Sequence, residues 1–97
     1  MLSASQEYLE RVKTLMKERR IALSLTQKDA AERSGVNLRT LQHFEQTGEI
    51  NFEKLLKLFV LFRMDKRVMT HIEDRSWWTV VELERSETKS KVRRKKI

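Results

Sequence analysis

The scarcity of helix-breaking residues strongly limits the folds that are open to this sequence. Its 97 residues include no proline and only two glycines, Gly35 and Gly48. Turns and hairpins usually need these residue types, so few strand connections are available. Apolar residues instead recur at spacings of three and four almost throughout, which places them on one face of a helix. We therefore predict an all-α fold.

The helix boundaries follow from capping residues. Thr26, with Asp29 three positions later, has the pattern of a capping box, and Asn37 and Asn51 are further strong N-caps. Gly35 suits the left-handed conformation that ends a helix. We predict helices at 5–23, 27–34, 38–46 and 66–72, and another after Asn51 with the apolar stripe Phe52, Leu55, Leu56, Phe59 and Phe62.

The segment 74–85 permits two interpretations. The run WWTVV has the composition of a strand, whereas Thr79 followed by Glu82 repeats the capping-box pattern. We favour a short helix at 80–85. The predicted organisation is a helical domain at 1–73, an aromatic segment at 74–85 that contacts a second subunit or a partner, and a basic tail at 86–97.

The formal net charge is +7, and most of it lies in the tail. Residues 1–85 carry 15 Lys and Arg against 13 Asp and Glu, a net +2, and residues 86–97 carry 6 against 1, a net +5. This excess favours polyanionic partners. A segment with this much charge cannot bury enough apolar surface to offset the entropy that it loses on ordering. We therefore expect the tail to be disordered until it binds a partner. A nonspecific DNA arm and a specific contact are both open roles for it.

Composition excludes several classes of function. The chain has no cysteine and two histidines, which argues against disulfides, thiolate zinc sites and cysteine nucleophiles. It has no glycine-rich phosphate loop and no serine nucleophile elbow, so we expect no enzyme activity, no metal and no cofactor. Because it has neither an apolar run of about 18 residues nor a secretory leader pattern, we expect a cytoplasmic protein.

Two short helices joined by a turn around Gly35 form the most informative pattern. Helices of this length and spacing are typical of a helix-turn-helix, whose second helix is held outward to enter a DNA groove. Val36, Leu41 and Phe44 fall on the inner side. The outer side is then formed by Asn37, Leu38, Arg39, Gln42 and His43. An ordinary helical bundle that shares this spacing is the alternative.

A family resemblance rests on residues 19–59, RRIALSLTQKDAAERSGVNLRTLQHFEQTGEINFEKLLKLF. The pieces LTQ, SGV and LQHFEQ, followed by an apolar helix after GEI, resemble the lambda-repressor-like (Xre or Cro-type) transcriptional regulators. The similarity covers roughly residues 8–72 and implies a five-helix DNA-binding domain whose partner is double-stranded DNA. Ser24 and Ala30 depart from the family, which often has glycine and a larger aliphatic residue there.

The resemblance also implies which residues contact DNA. Arg39 is the expected guanine contact, since its guanidinium can donate to O6 and N7 together. Arg20 and Glu45 match an ion pair that joins the first and third helices. Base contacts are expected for Gln27, Asn37, Leu38, Arg39, Gln42 and His43, and phosphate contacts for Thr26, Lys28, Thr40 and Gln46. For Leu38 and His43, simple solvent exposure is the alternative.

The apolar residues beyond position 57 exceed what the inner face of two short helices needs, which predicts a homodimer interface. Completion of the monomer core is the alternative. Two adjacent tryptophans are costly to expose, so they either fold back or mark a partner site. The predicted dimer or partner residues are Leu61, Phe62, Met64, Val68, Met69, Ile72, Trp77 and Trp78.

Together these features predict a repressor or autoregulator that binds an inverted-repeat operator as a homodimer and is nucleoid-associated when bound. The GEINFEKLLKLF run and the arginine-rich end also resemble HipB-like antitoxins, which implies a HipA-type kinase toxin as a partner. The alternative is a phage-type or restriction-modification controller that has no toxin partner.

Overall fold

A computed structural model describes the backbone of residues 1–95 and the side chains of residues 1–87. All regular secondary structure in this part of the chain is helical, as predicted. The helices are α1 (Ala4–Ala22), α2 (Gln27–Ser34), α3 (Leu38–Thr47), α4 (Phe52–Leu61), α5 (Asp65–Glu73) and α6 (Val80–Lys95). The chain divides into two compact units, residues 1–66 and the residues from 67 onward.

Local capping bonds begin the helices where the sequence predicts them. The Thr26 side chain accepts from the Asp29 N–H at 3.0 Å, and the Asp29 carboxylate accepts from the Thr26 N–H at 3.2 Å. Asn37 caps α3 and Asn51 caps α4 through their side-chain oxygens. Such bonds satisfy N–H groups that have no partner within the helix, so the starts of α2, α3 and α4 are specified locally.

The core of the first unit forms where α1, α2, α3 and α4 meet, with α1 against α3 and α2 against both α3 and α4. Ala30 is fully buried and Ala31 nearly so, which lets α2 lie close to its neighbours. Burying a large aliphatic or aromatic side chain contributes about 1.5–3 kcal/mol. The large side chains that do so are Met16, Val36, Leu41, Phe44, Leu58, Phe59 and Phe62.

Two helices of this unit end with a residue other than glycine in the left-handed region. Ser24 follows α1 and Arg63 follows α4, each with φ of 59°. The next N–H in each case donates back to the helix, Leu25 to the Arg20 carbonyl and Met64 to the Phe59 carbonyl. In this type of helix C-terminus, the left-handed position is usually a glycine. Ser24, where the family often has glycine, therefore lies at a position where glycine would relieve backbone strain.

The second unit contains most of α5 and the whole of α6. The Thr79–Glu82 capping box is present, with Glu82 accepting from the Thr79 N–H at 2.8 Å, so a helix rather than a strand begins at Val80. The expected end at Arg85 is corrected, since α6 continues to Lys95. Disorder of the tail before it binds a partner stays a prediction. The extension lacks glycine and proline and is rich in lysine and arginine, which favour helices. The rest of the predicted tail, residues 96–97, lies outside the described residues.

The two glycines offer a matched test of backbone packing. Both have left-handed φ, 78° at Gly35 and 82° at Gly48. A Cβ at Gly35 would meet nothing within 4 Å, whereas one at Gly48 would lie 2.9 Å from the Leu9 carbonyl oxygen. We expect Gly35→Ala to lower the free energy of unfolding by about 1 kcal/mol from conformational strain alone.

We expect Gly48→Ala to cost at least about twice as much, because α1 must also move away from the new methyl group. Urea denaturation followed by circular dichroism measures both variants. Equal losses at the two positions would show that α1 does not pass this close to the end of α3.

Candidate nucleic-acid interface

The corner between α2 and α3 is built by three consecutive residues. Gly35 ends α2, and its N–H donates to the Ala31 carbonyl at 3.0 Å. Val36 is 2% exposed and anchors the turn in the core. Asn37 then starts α3 by accepting from the Arg39 N–H at 2.8 Å. Two short helices thus meet at a fixed turn, as in a helix-turn-helix.

Helix α3 has one buried face and one exposed face. Leu41 and Phe44 are each 1% exposed and fix the inner face. The outer face carries all five residues that the sequence predicted there: Asn37, Leu38, Arg39, Gln42 and His43 are exposed. No acidic residue lies in the first turn of α3. This end of α3 therefore combines the positive end of the helix dipole with the Arg39 cation, which suits a polyanion.

The predicted Arg20–Glu45 ion pair is present and links α1 to α3. Arg20 donates from Nε to Glu45 Oε2 at 2.7 Å and from Nη2 to Oε1 at 3.0 Å. Its remaining Nη1 donates to the Leu25 carbonyl at 2.8 Å, in the loop before α2. Arg20 is 8% exposed, so the pair is largely shielded from water. A two-bond guanidinium–carboxylate contact fixes orientation as well as distance.

Gln27 joins the same network. Its Nε2 donates to Glu45 Oε1 at 2.9 Å, and the residue is half-buried at the start of α2. The sequence predicted a base contact for Gln27 but gave no sign of this bond. The side-chain amide is therefore oriented by the protein, with its oxygen left as the acceptor.

The four residues predicted to contact phosphate lie in different environments. Lys28 and Gln46 are exposed, and Thr40 is half-buried. Thr26 is exposed, but its side chain is engaged as the cap of α2. The Gln46 carbonyl accepts from Lys13 Nζ at 2.9 Å, a second link between α1 and the end of α3. The pattern of charges gave no indication of this link.

Hydrogen bonds from the main chain and side chain of Thr26 hold the pKa of Asp29 below its ordinary value. The Asp29 carboxylate, which accepts from the cap residue of α2, is therefore favoured in its charged form. This contribution to stability is present above the ordinary pKa of the carboxyl group. It is lost as the pH falls through the lowered value.

A contact at the far end of α3 was not predicted from the sequence. His43 Nε2 lies 3.4 Å from Glu49 Oε2, and both side chains are more than half exposed. The two residues line an open hollow of about 480 Å³ together with Arg39, Thr40, Ile50 and Asn51. A turn intervenes between Glu49 and α3, so helical periodicity could not reveal the pairing. Among the residues whose side chains are described, no cluster could hold a metal ion.

The predicted dimer residues are not all available to a partner. Phe62 is 1% exposed and belongs to the core of the first unit, so its assignment to an interface is wrong. The cap at the end of α4 turns its ring inward, and Arg19 Nε donates to its carbonyl at 3.0 Å. Of the others in that unit, Leu61 and Met64 are half-buried.

In the second unit, Val68 is half-buried while Met69 and Ile72 are 42% and 60% exposed on α5. The two tryptophans differ. Trp77 is 73% exposed, whereas Trp78 is half-buried, with the Arg75 guanidinium 5.6 Å from its ring centre and the Trp77 ring edge-on at 6.0 Å. Trp78 therefore follows the fold-back alternative, and a partner site at Trp77 stays a prediction.

Removal of Glu45 should leave a shielded guanidinium and the Gln27 amide without their acceptor. We expect Glu45→Ala to lower the free energy of unfolding by about 3 kcal/mol, as for other broken shielded pairs. Glu53→Ala is the matched control, since Glu53 pairs with Lys57 at 3.7 Å in an exposed position and should cost less than about 1 kcal/mol. Denaturant titration compares them, and a Glu45→Ala loss as small as that of the control would mean that the pair does not hold α1 to α3.

A family model described as helix-turn-helix matches residues 16–66, more than half of the chain. The match begins within α1 and ends just inside α5, so it includes the corner and the whole of α3. No curated protein matches the chain, and no solved structure does. None of the helices in the described part of the chain is both long and apolar enough to cross a membrane.

Proposed function

Since this chain belongs to the lambda-repressor-like (Xre) family of helix-turn-helix DNA-binding transcriptional regulators, we propose that it is a repressor that binds an inverted-repeat operator as a homodimer. The observation that carries the proposal is the two-sided character of α3. Leu41 and Phe44 are buried while Asn37, Leu38 and Arg39 stand exposed at its N-terminal end. A helix anchored in this way can enter a major groove without disturbing the core.

The chemistry of the exposed face assigns a role to each side chain. Arg39 donates to guanine O6 and N7, and Leu38, 37% exposed, packs on a thymine methyl group. Asn37, Gln42, His43 and the acceptor oxygen of Gln27 contact neighbouring base edges. Lys28, Thr40, Gln46 and Thr26 bind phosphates and set the register. Each good base contact discriminates by about 1–3 kcal/mol.

A homodimer is the form of the protein that fits the proposed inverted-repeat operator. A homodimer presents two α3 helices to successive major grooves about 34 Å apart, which matches an inverted repeat. Two exposed apolar residues on α5, Met69 and Ile72, support a subunit interface there. The protein would act in the cytoplasm, where it meets the chromosome, and would need no cofactor or enzyme activity.

Selection of bound sequences from random duplex DNA tests the main proposal. We expect an inverted repeat to be recovered, and Arg39→Ala to bind that operator about 10-fold to 100-fold more weakly, since a bidentate guanine contact is lost. Arg67→Ala, which removes an equal charge from an exposed position on α5, is the control. The melting temperature of both variants should stay that of the wild type. An operator affinity that Arg39→Ala leaves unchanged would remove α3 as the element that recognises the sequence.

Sedimentation equilibrium tests the dimer independently of DNA. Ile72→Glu places a charge at the proposed interface and should convert the dimer to a monomer at micromolar concentration. Val60→Glu is a matched control, since Val60 on α4 is also 60% exposed but lies outside the predicted interface. Wild-type protein that sediments as a monomer, or an Ile72→Glu variant that stays dimeric, would contradict this assignment.

A second candidate function is that of an antitoxin, and exposed Trp77 is the observation that favours it. A ring that is 73% exposed is a frequent anchor in protein interfaces. The partner would be a HipA-type kinase toxin, and DNA binding and toxin binding can coexist in one chain. A kinase-like gene beside this one would support the antitoxin. Its absence would favour a phage-type or restriction-modification controller.

A further inference from the structure

Glu49 is held beside the outer face of α3 by a short relay of hydrogen bonds. Its N–H donates to the Thr47 hydroxyl at 3.0 Å, and that hydroxyl donates to the His43 carbonyl at 2.8 Å. Gly48, which ends α3 with φ of 82°, turns the chain so that Glu49 comes back toward His43. These bonds hold the backbone of Glu49 at a position from which its carboxylate reaches His43.

The contact decides which hydrogen bonds the pair can offer. An ionised carboxylate only accepts, so a hydrogen bond across the 3.4 Å between His43 Nε2 and Glu49 Oε2 requires the proton on Nε2. A neutral imidazole with its proton on Nε2 has an unprotonated Nδ1, which is an acceptor. With His43 neutral, the His43–Glu49 pair presents acceptors and one negative charge, and the Glu49 carboxylate is an acceptor whichever form His43 takes.

The pair shares its hollow with a cation. Arg39 lines the same hollow, one helical turn before His43, and is the other charged residue among those that line it. Donors and acceptors thus stand side by side. The major-groove edge of a G·C pair has the complementary pattern, with guanine O6 and N7 as acceptors and the cytosine N4 amino group as donor.

We propose that Glu49 is a positioning residue that turns the His43–Glu49 pair into an acceptor and so selects a base bearing an amino group, cytosine N4 or adenine N6, at one position of each half-site. Guanine O6 and thymine O4 are rejected there, since they would face lone pairs and a negative charge. The proposal deepens the function proposed above and rests on it. It gives a selective role to a residue outside the helix-turn-helix itself.

Glu49→Gln separates this role from a structural one, because the amide keeps the size of the side chain but can also donate. Glu18→Gln is the matched control, with the same change of charge at an exposed position on α1. Selection from random duplex DNA is run on the wild type and both variants. Thermal melting should be unchanged in all three proteins, since both replaced side chains are exposed.

For the wild type and Glu18→Gln, we expect cytosine or adenine to exceed guanine and thymine roughly fivefold or more at one half-site position. Glu49→Gln should lose this preference there while it keeps the guanine contacted by Arg39. Identical base frequencies for the wild type and Glu49→Gln at every position would overturn the role of Glu49 and leave the repressor proposal intact. Failure of the wild type to select any sequence would overturn both.

Discussion

The ion pair between Arg20 and Glu45 is the contact on which the placement of α3 depends. Its two hydrogen bonds join the first helix to the third, and the third Arg20 bond reaches the Leu25 carbonyl just before α2 begins. One guanidinium thus joins α1, the loop before α2 and α3. Since both charges are shielded, neither can turn to water without a large loss, and the geometry is held tightly. The exposed face of α3 is stable because its opposite side is fixed in this way.

Packing and backbone geometry reinforce this placement. Ala30 and Ala31 allow α2 to approach its neighbours, and Gly48 allows α1 to pass within 2.9 Å of the position that a Cβ would take. Larger residues at these points would push the helices apart. By contrast, Ser24 and Arg63 hold strained conformations at helix ends. The first unit therefore combines close approach where helices cross with some strain where they terminate.

Local chemistry explains why much of this fold could be predicted from the sequence. Helix α2 was predicted residue for residue, because the Thr26–Asp29 capping box begins it and Gly35 ends it with no help from distant residues. Phe62 was misassigned because only the tertiary structure shows that its ring turns inward. The Glu49 contact with His43 was missed because it spans a turn. The helix predicted at 80–85 was too short, because a highly charged segment can still favour a helix and α6 continues to Lys95.

The bond from Gln27 to Glu45 has a consequence for the speed of association. A glutamine side chain that turns freely loses about 1.5–2 kcal/mol of rotamer entropy when a ligand immobilises it. The bond to Glu45 already restricts the Gln27 side chain, so little of that loss would remain for the DNA contact proposed above. Preorganisation of this kind would remove one rearrangement from docking, and association would then depend more on diffusion and electrostatic steering.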